Sequence, residues 1–382
     1  MARRTSTSGK HILLYASSDT DANIFYATRF SCPDPFLFIR TAQGRRIYVM
    51  SDLEIDRARA TTNAHRVLPM SRYVAAARTR RRGQPHVADV IAEVLRDLRI
   101  RAVTVPESFP AGIADRLRRR HVRVTAAKEP FFPRRARKSE QEIAYIRTVM
   151  RATEKGLAAA VDILRRSRIR NGWVMWEGRR LTSEFLRRAI DETVFSHGCI
   201  ATHTIVAAGK HGCDPHNAGS GPIRANTPII IDIFPRSEST GYFGDMTRTF
   251  VKGRASERVR RMYKAVFDAQ RRALRMIRPG VDGRDIHEAI QGLFGSRGFE
   301  TGEIGGRMQG FFHGTGHGLG LEIHEPPRIA TVSSMLRKDM VVTVEPGLYY
   351  WPVGGVRIED TVLVTEDGIR SLTRFPKTLE IK

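Results

Sequence analysis

Carboxylates stand where this chain can least accommodate them. Asp232 ends the run Ile229-Ile-Ile231, Glu345 follows Val341-Val-Thr-Val344, and Glu359 follows Val356-Arg-Ile358. Asp245 and His317 stand beside further strongly apolar strand sequences. Such runs go to the interior, and an ionised carboxylate there is costly unless another charge compensates it. One such acid pairs most simply with an arginine. Four acids and one imidazole, all so placed in one region, point instead to a shared cation, because the desolvation cost would otherwise be met several times over. One imidazole with four carboxylates is a hard, oxygen-rich set that favours Mn²⁺ and accepts Co²⁺, Fe²⁺ or Zn²⁺. Four negative charges balance two divalent ions, and without metal so many acids held together cannot all remain ionised.

These acids lie in the second of two predicted domains. The chain has 382 residues, a length suited to two domains. Residues 1–130 read as a small α/β domain. His11–Tyr15 suits a buried strand, and Phe36–Arg40 and Arg45–Met50 flank Ala42-Gln-Gly44 as a hairpin. Val87, Val90, Ile91, Val94 and Leu98 recur at helical spacing, and Arg101–Val105 reads as a further strand. The boundary is drawn at the proline-bearing Lys128–Pro133 and the charged Arg134–Lys138, with residues 131–382 forming the second domain. Ser139 and Glu142 make a capping box that opens a long helix with an apolar stripe through Leu164. Helices are expected near 183–197, 256–277 and 283–295, and strands at Thr204–Ala208, Pro228–Phe234, Met246–Val251, Met340–Val344 and Thr361–Val364.

Composition narrows the class. Hydrophobic residues make up 41% of the chain, enough for a full core, and no apolar run approaches the roughly 20 residues of a membrane span. The basic, polar start of the sequence has no signal-like apolar stretch after it, and Cys32, Cys199 and Cys213 lie far apart in no ligand-like spacing. A cytoplasmic, reducing setting without membrane contact is the expectation. The net charge of +24 comes mainly from arginine, in clusters such as Arg78, Arg80, Arg81 and Arg82, Arg116, Arg118, Arg119 and Arg120, and Arg134, Arg135, Arg137 and Lys138. Aromatic residues do not interleave with these clusters, so they read as solvated cations, with nucleic-acid binding only a weak electrostatic side activity.

The segment His313-Gly-Thr-Gly-His317-Gly-Leu-Gly320 carries too many glycines for a helical metal-binding pair. In an extended strand His313 and His317 share a face and His324 falls on the other, unless a turn or bulge re-aims it. Together with Gly-Asp245-Met-Thr-Arg-Thr-Phe, Leu321-Glu-Ile-His324-Glu, Val344-Glu345-Pro-Gly-Leu-Tyr and Gly355-Val-Arg357-Ile-Glu359-Asp, these motifs resemble those of the pita-bread metallopeptidases. Within that family they are most similar to Xaa-Pro aminopeptidases and prolidases. The resemblance runs over the whole chain. It implies an α/β (α+β) fold, with a creatinase-type N-terminal domain and a pita-bread catalytic domain.

The resemblance implies a set of roles. Asp232, Asp245, His317, Glu345 and Glu359 would bind two divalent ions, with Asp245 and Glu359 bridging. Glu345 would also shuttle a proton, His216 and His324 would face substrate, and His313 and Arg357 would flank the site. The implied activity is hydrolysis before proline by a water shared between the ions, acting on proline-containing peptides in a homodimer. An aminopeptidase is the first expectation and a dipeptide-cutting prolidase the alternative. The complete set of five ligands argues against a metal-free creatinase-like hydrolase and against a non-catalytic binding module. The turn between Asp232 and Asp245 is slightly longer than in the shortest family members, which touches local substrate contacts and not the ligands.

Overall fold

A computed structural model describes residues 9–80 and 83–382. The basic start of the sequence and the pair Arg81-Arg82 therefore lie outside the described residues. The chain divides into two compact units, Met1–Pro133 and Arg134–Lys382.

In the first unit alternation builds a sheet buried on both faces. Its six strands run in the order Arg66–Pro69, Arg46–Met50, Phe36–Arg40, Ile12–Ala16, Ala102–Pro106 and Arg123–Ala127. The three from Ile12–Ala16 to Arg46–Met50 pair antiparallel, and the outer ones join parallel. Leu13, Leu37, Ile39 and Val49 pack on one face with the Val87–Asp97 helix. Ile12, Leu14, Phe36, Phe38 and Tyr48 pack on the other, as a period of two requires.

The second unit sets helices against mainly antiparallel sheets. Ser139 caps the Glu140–Arg166 helix as the motif predicts: its Oγ accepts from the Glu142 N–H at 3.3 Å, and Glu142 Oε2 accepts from the Ser139 N–H at 2.8 Å. Helices follow at Ser183–Ser196, Glu257–Met276 and Gly283–Ser296. One sheet has the order Ile205–Ala208, Pro228–Ile233, Met246–Lys252, Glu380–Ile381. The other runs Glu325–Ile329, Gly316–Gly318, Val341–Val344, Asp360–Val364, Ile369–Ser371. Among the described residues no helix is long and apolar enough to cross a membrane.

Two kinds of element escape the sequence patterns. The Ala111–Arg118 helix has only eight residues, too few for its buried Ile113, Ala114 and Leu117 to stand out as a stripe. A three-stranded meander, Arg168–Arg170, Trp173–Trp176 and Arg179–Arg180, sits between the first two helices of the second unit. Its strands are too short to show a period, although its turns Asn171-Gly172 and Glu177-Gly178 carry the positive φ that tight hairpins demand.

The glycines around His317 serve close approach. A Cβ on Gly316 would meet the Thr343 carbonyl oxygen at 2.0 Å, whereas on Gly314 the nearest atoms would be 3.3 Å away. Gly316→Ala is expected to cost about 1–3 kcal/mol by forcing the His317 strand off its neighbour. Gly314→Ala should cost clearly less. Denaturant unfolding of both variants checks the contrast, and equal losses would contradict it.

Candidate metal centre

Strand ends bring the acids together. Asp232 lies near the end of Pro228–Ile233, in register with Thr247 on the adjacent strand, and Asp245 immediately precedes that strand. Glu345 follows Val341–Val344 and Glu359 precedes Asp360–Val364, beside the paired Val344 and Asp360. His317 enters from Gly316–Gly318, where the register shifts between His317 and Gly318. The Asp245, His317 and Glu359 ligand atoms lie within 4.8 Å of one another. Glu345 Oε1 stands 3.3 Å from His317 Nε2, and Asp245 Oδ2 stands 3.6 Å from it. Asp232 and Glu345 lie outside the tightest trio and share its cavity. All nine residues singled out in the sequence line this one cavity of about 770 Å³.

The bulge settles where His324 points. After the shift the chain leaves the strand, and the His324 ring comes to rest 4.3 Å from the His317 ring, edge-on. Strict alternation would have sent it to the far side. His216, exposed on the loop after Gly209–Cys213, reaches the same cavity.

A directed hydrogen-bond chain fixes the flanking residues. Burial, with the Arg357 charge second, pushes His313 down to about 3, so it is neutral. Its Nδ1–H donates to the Gly314 carbonyl at 2.8 Å, leaving Nε2 to accept from the Tyr349 hydroxyl at 2.9 Å. Tyr349 in turn accepts from Arg357 Nη1 at 2.8 Å, and Arg357 Nη2 donates to Asp232 Oδ2 at 2.7 Å. Arg357 Nε also donates to Thr247 Oγ1, whose own hydroxyl donates to Glu359 Oε2 at 2.8 Å. Tyr349 carries no role in the sequence reading, although it stands inside the motif Glu345-Pro-Gly-Leu-Tyr349; burial pushes it up to about 12.

The electrostatics are those of a site built for cations. Burial, then the charges of Glu359, Asp232 and Glu345, drives Asp245 well above the usual carboxylate range. Burial, then Glu345 and Asp232, does the same to Glu359. Glu345 is raised to about 8 by burial against the opposing pull of Arg357. Burial also holds His317 neutral, down to about 3, with Nδ1–H donating to the Gly318 carbonyl and the Nε2 lone pair left facing the acids. Asp232 Oδ1 is buried with no hydrogen-bond partner. An orphaned carboxylate oxygen, a lone pair facing Asp245 and Glu345, and three acids raised by burial and then by one another's charge are a donor set that divalent ions fit.

The charged boundary segment is not simply solvated. Arg135 and Lys138 are buried and grip the buried Glu325, which directly follows His324, at 2.9 and 2.7 Å. Arg135 also holds Glu322 at 2.6 Å. These charges brace the loop that carries His324. Arg328, a second residue without a role in the sequence reading, lines the cavity and has no ion pair among the described residues.

Known proteins resemble this chain in sequence and fold. Residues 144–366 match the model of metallopeptidase family M24. The Xaa-Pro dipeptidase of Pyrococcus horikoshii is 29% identical over 286 residues, covering 73% of this chain and 75% of that one. The Xaa-Pro dipeptidase of Pyrococcus furiosus is 38% identical over 181 residues, 47% of this chain, so the match spans about half (49%) of that relative. The crystal structure of an X-Pro aminopeptidase from Thermotoga maritima superposes with a TM-score of 0.79 at 24% identity, covering 97% of both chains. The mixed α/β pita-bread fold implied by the motifs holds. With its matched segment spanning the acids, His317 and the strands that carry them, the chain belongs to metallopeptidase family M24.

Proposed function

We propose that the chain is an Xaa-Pro dipeptidase, with Asp232, Asp245, His317, Glu345 and Glu359 holding two divalent ions, Mn²⁺ first. The observation that carries the dipeptide preference is Arg328. Its charge reaches His317, His324 and Glu345 from the cavity wall, with no carboxylate among the described residues paired to it. An Xaa-Pro dipeptide places its free carboxylate one residue from the scissile bond, within reach of a guanidinium beside the acids; a longer peptide does not. The names of the two Pyrococcus relatives support the same choice, which moves the weight from the aminopeptidase expected at first to its alternative.

Divalent ions at the acids would neutralise the cluster and make water there more acidic. The protein's own groups do the rest. Glu345, beside His317 on the cavity wall, takes the proton of the attacking water and passes it to the departing proline nitrogen. His216 and His324 face the carbonyl oxygen as it gains charge. Phe312, Ile205 and Val332 offer apolar wall to the proline ring. Arg357, tied to Asp232 and Tyr349, holds its neighbours in place. Residues 1–130 serve as the creatinase-type N-terminal domain of a cytoplasmic homodimer.

Assays on an Xaa-Pro dipeptide and an Xaa-Pro-Yaa tripeptide, after metal stripping and re-addition of Mn²⁺, Co²⁺ or Zn²⁺, separate the readings. The dipeptide should be cut and the tripeptide spared. Arg328→Leu should raise KM for the dipeptide about tenfold or more, the loss of one charged contact. Glu345→Gln should lower kcat by about 10²–10⁴-fold. Preferential tripeptide cleavage would restore the aminopeptidase reading.

The cluster also predicts a pH response of the metal-free protein. Folded Glu345 keeps its proton to about 8, whereas the unfolded chain loses it near 4.5. The folded state then binds more protons, so stability falls as pH rises through that window, and Asp245 and Glu359 act the same way. His313 and His317, neutral when folded down to about 3, add the opposite slope only below their unfolded value of 6.5. Above about pH 7 the acids alone set the trend. The Tm of chelator-treated protein should therefore drop from about pH 7 to about pH 8, with stabilisation by added Mn²⁺ growing over the same range. A rising Tm would contradict this.

A further inference from the structure

The meander of Arg168–Arg170, Trp173–Trp176 and Arg179–Arg180 takes no part in the cavity. Its register sorts its side chains. Arg170 pairs with Trp173, Arg168 with Met175, and Met175 with Arg180, so these five share one face. Arg224, bridged to Trp173 from the neighbouring loop, extends that face. Ile169, Val174, Trp176 and the exposed Arg179 project from the opposite one, where Val174 is fully buried, Ile169 approaches Gly253 and Trp176 meets Phe185.

The exposed face is uniformly cationic. Arg168, Arg170, Arg180 and Arg224 are all exposed, and none has a carboxylate partner among the described residues. That distinguishes them from several helix arginines: Arg57, Arg59, Arg96, Arg118 and Arg260 each pair with an acid one turn away. An arginine-rich surface of the neutralised kind is therefore not what the meander presents. The nearest acids in sequence lie off this face: Glu177 occupies the second turn, and Asp162 pairs with Arg166. At the centre, the guanidiniums of Arg180 and Arg224 lie over the Trp173 ring at 4.5 and 4.3 Å. Ring contact holds these planar forks in place, so less side-chain freedom is lost when they bind an anion. Same-face positions on a strand recur about every 7 Å and adjacent strands about every 5 Å, which spreads the charges over a short stretch of polymer.

We infer that this face binds a nucleic-acid strand through its phosphodiester backbone, independently of the peptidase reading. A row of unneutralised arginines, two of them over an indole, suits phosphates and base faces together. An anionic membrane is a poorer match, because the one strongly exposed apolar side chain of the meander, Ile169, is on the other face. The contact carries charge and stacking and no base-edge reading, so it is independent of nucleotide sequence.

The test is anisotropy of a labelled single-stranded 20-mer titrated with the full chain between about 50 and 300 mM salt. The variant Arg168→Ser/Arg170→Ser/Arg180→Ser/Arg224→Ser is compared with Arg45→Ser/Arg99→Ser/Arg101→Ser/Arg119→Ser. The second set removes the same charge from exposed, unpaired arginines of the first unit. Removing four phosphate contacts should flatten the log–log salt slope by about 3, and the control set should change it by less than about 1. Both proteins should keep the parent Tm. Equal losses in the two variants would assign binding to diffuse net charge and overturn the proposal. So would the absence of salt-dependent binding by the parent chain, or tighter binding of anionic vesicles or polyglutamate than of the oligonucleotide through the same four residues.

Discussion

The burial of four carboxylates in one cavity, with their repulsion added to the desolvation cost, is the constraint on which the site of the second unit depends. Asp232, Asp245, Glu345 and Glu359 are delivered by strand ends from two different sheets, and a cavity wall of buried backbone surrounds them. Apolar side chains in their places would pack at lower cost. Divalent ions at these acids, as proposed, would offset that cost and tie metal binding to the final packing of the site.

Around that core the protein spends further buried charge on geometry. Arg248, almost fully buried, holds Asp360 at 2.8 Å and donates to the Glu359 carbonyl at 2.5 Å, locking the strand that carries Glu359. Arg357 ties Asp232 to Tyr349 and, through it, to His313. Arg135 and Lys138 fasten the loop of His324 by way of Glu325. Each is a paired ion with its partner fixed from a distant part of the sequence, which is how a flexible glycine-rich stretch such as Gly314–Gly320 acquires one conformation.

The cluster of acids with His317 was legible because it violates a local rule: acids at the ends of apolar strands need a reason, and the strands themselves announce their period. The long helices were equally plain, since Ser139 with Glu142 and the stripe to Leu164 are strong local signals. What escaped depended on tertiary pairing. His324 is aimed by a register shift that alternation cannot foresee. Tyr349 and Arg328 look like ordinary strand residues until the fold sets the Tyr349 hydroxyl against His313 and Arg328 on the cavity wall. Arg135 and Lys138 read as solvated charge because their partners lie nearly 190 residues away. The meander of Arg168–Arg180 was hidden by strands of only two to four residues.

The central claim is that five side chains converge on a pair of divalent ions, and anomalous diffraction from crystals grown with Mn²⁺ addresses it directly. Two anomalous peaks enclosed by Asp232, Asp245, His317, Glu345 and Glu359 are the expected result. Density without a peak among these groups, or carboxylates turned away from one another with manganese present in excess, would contradict it.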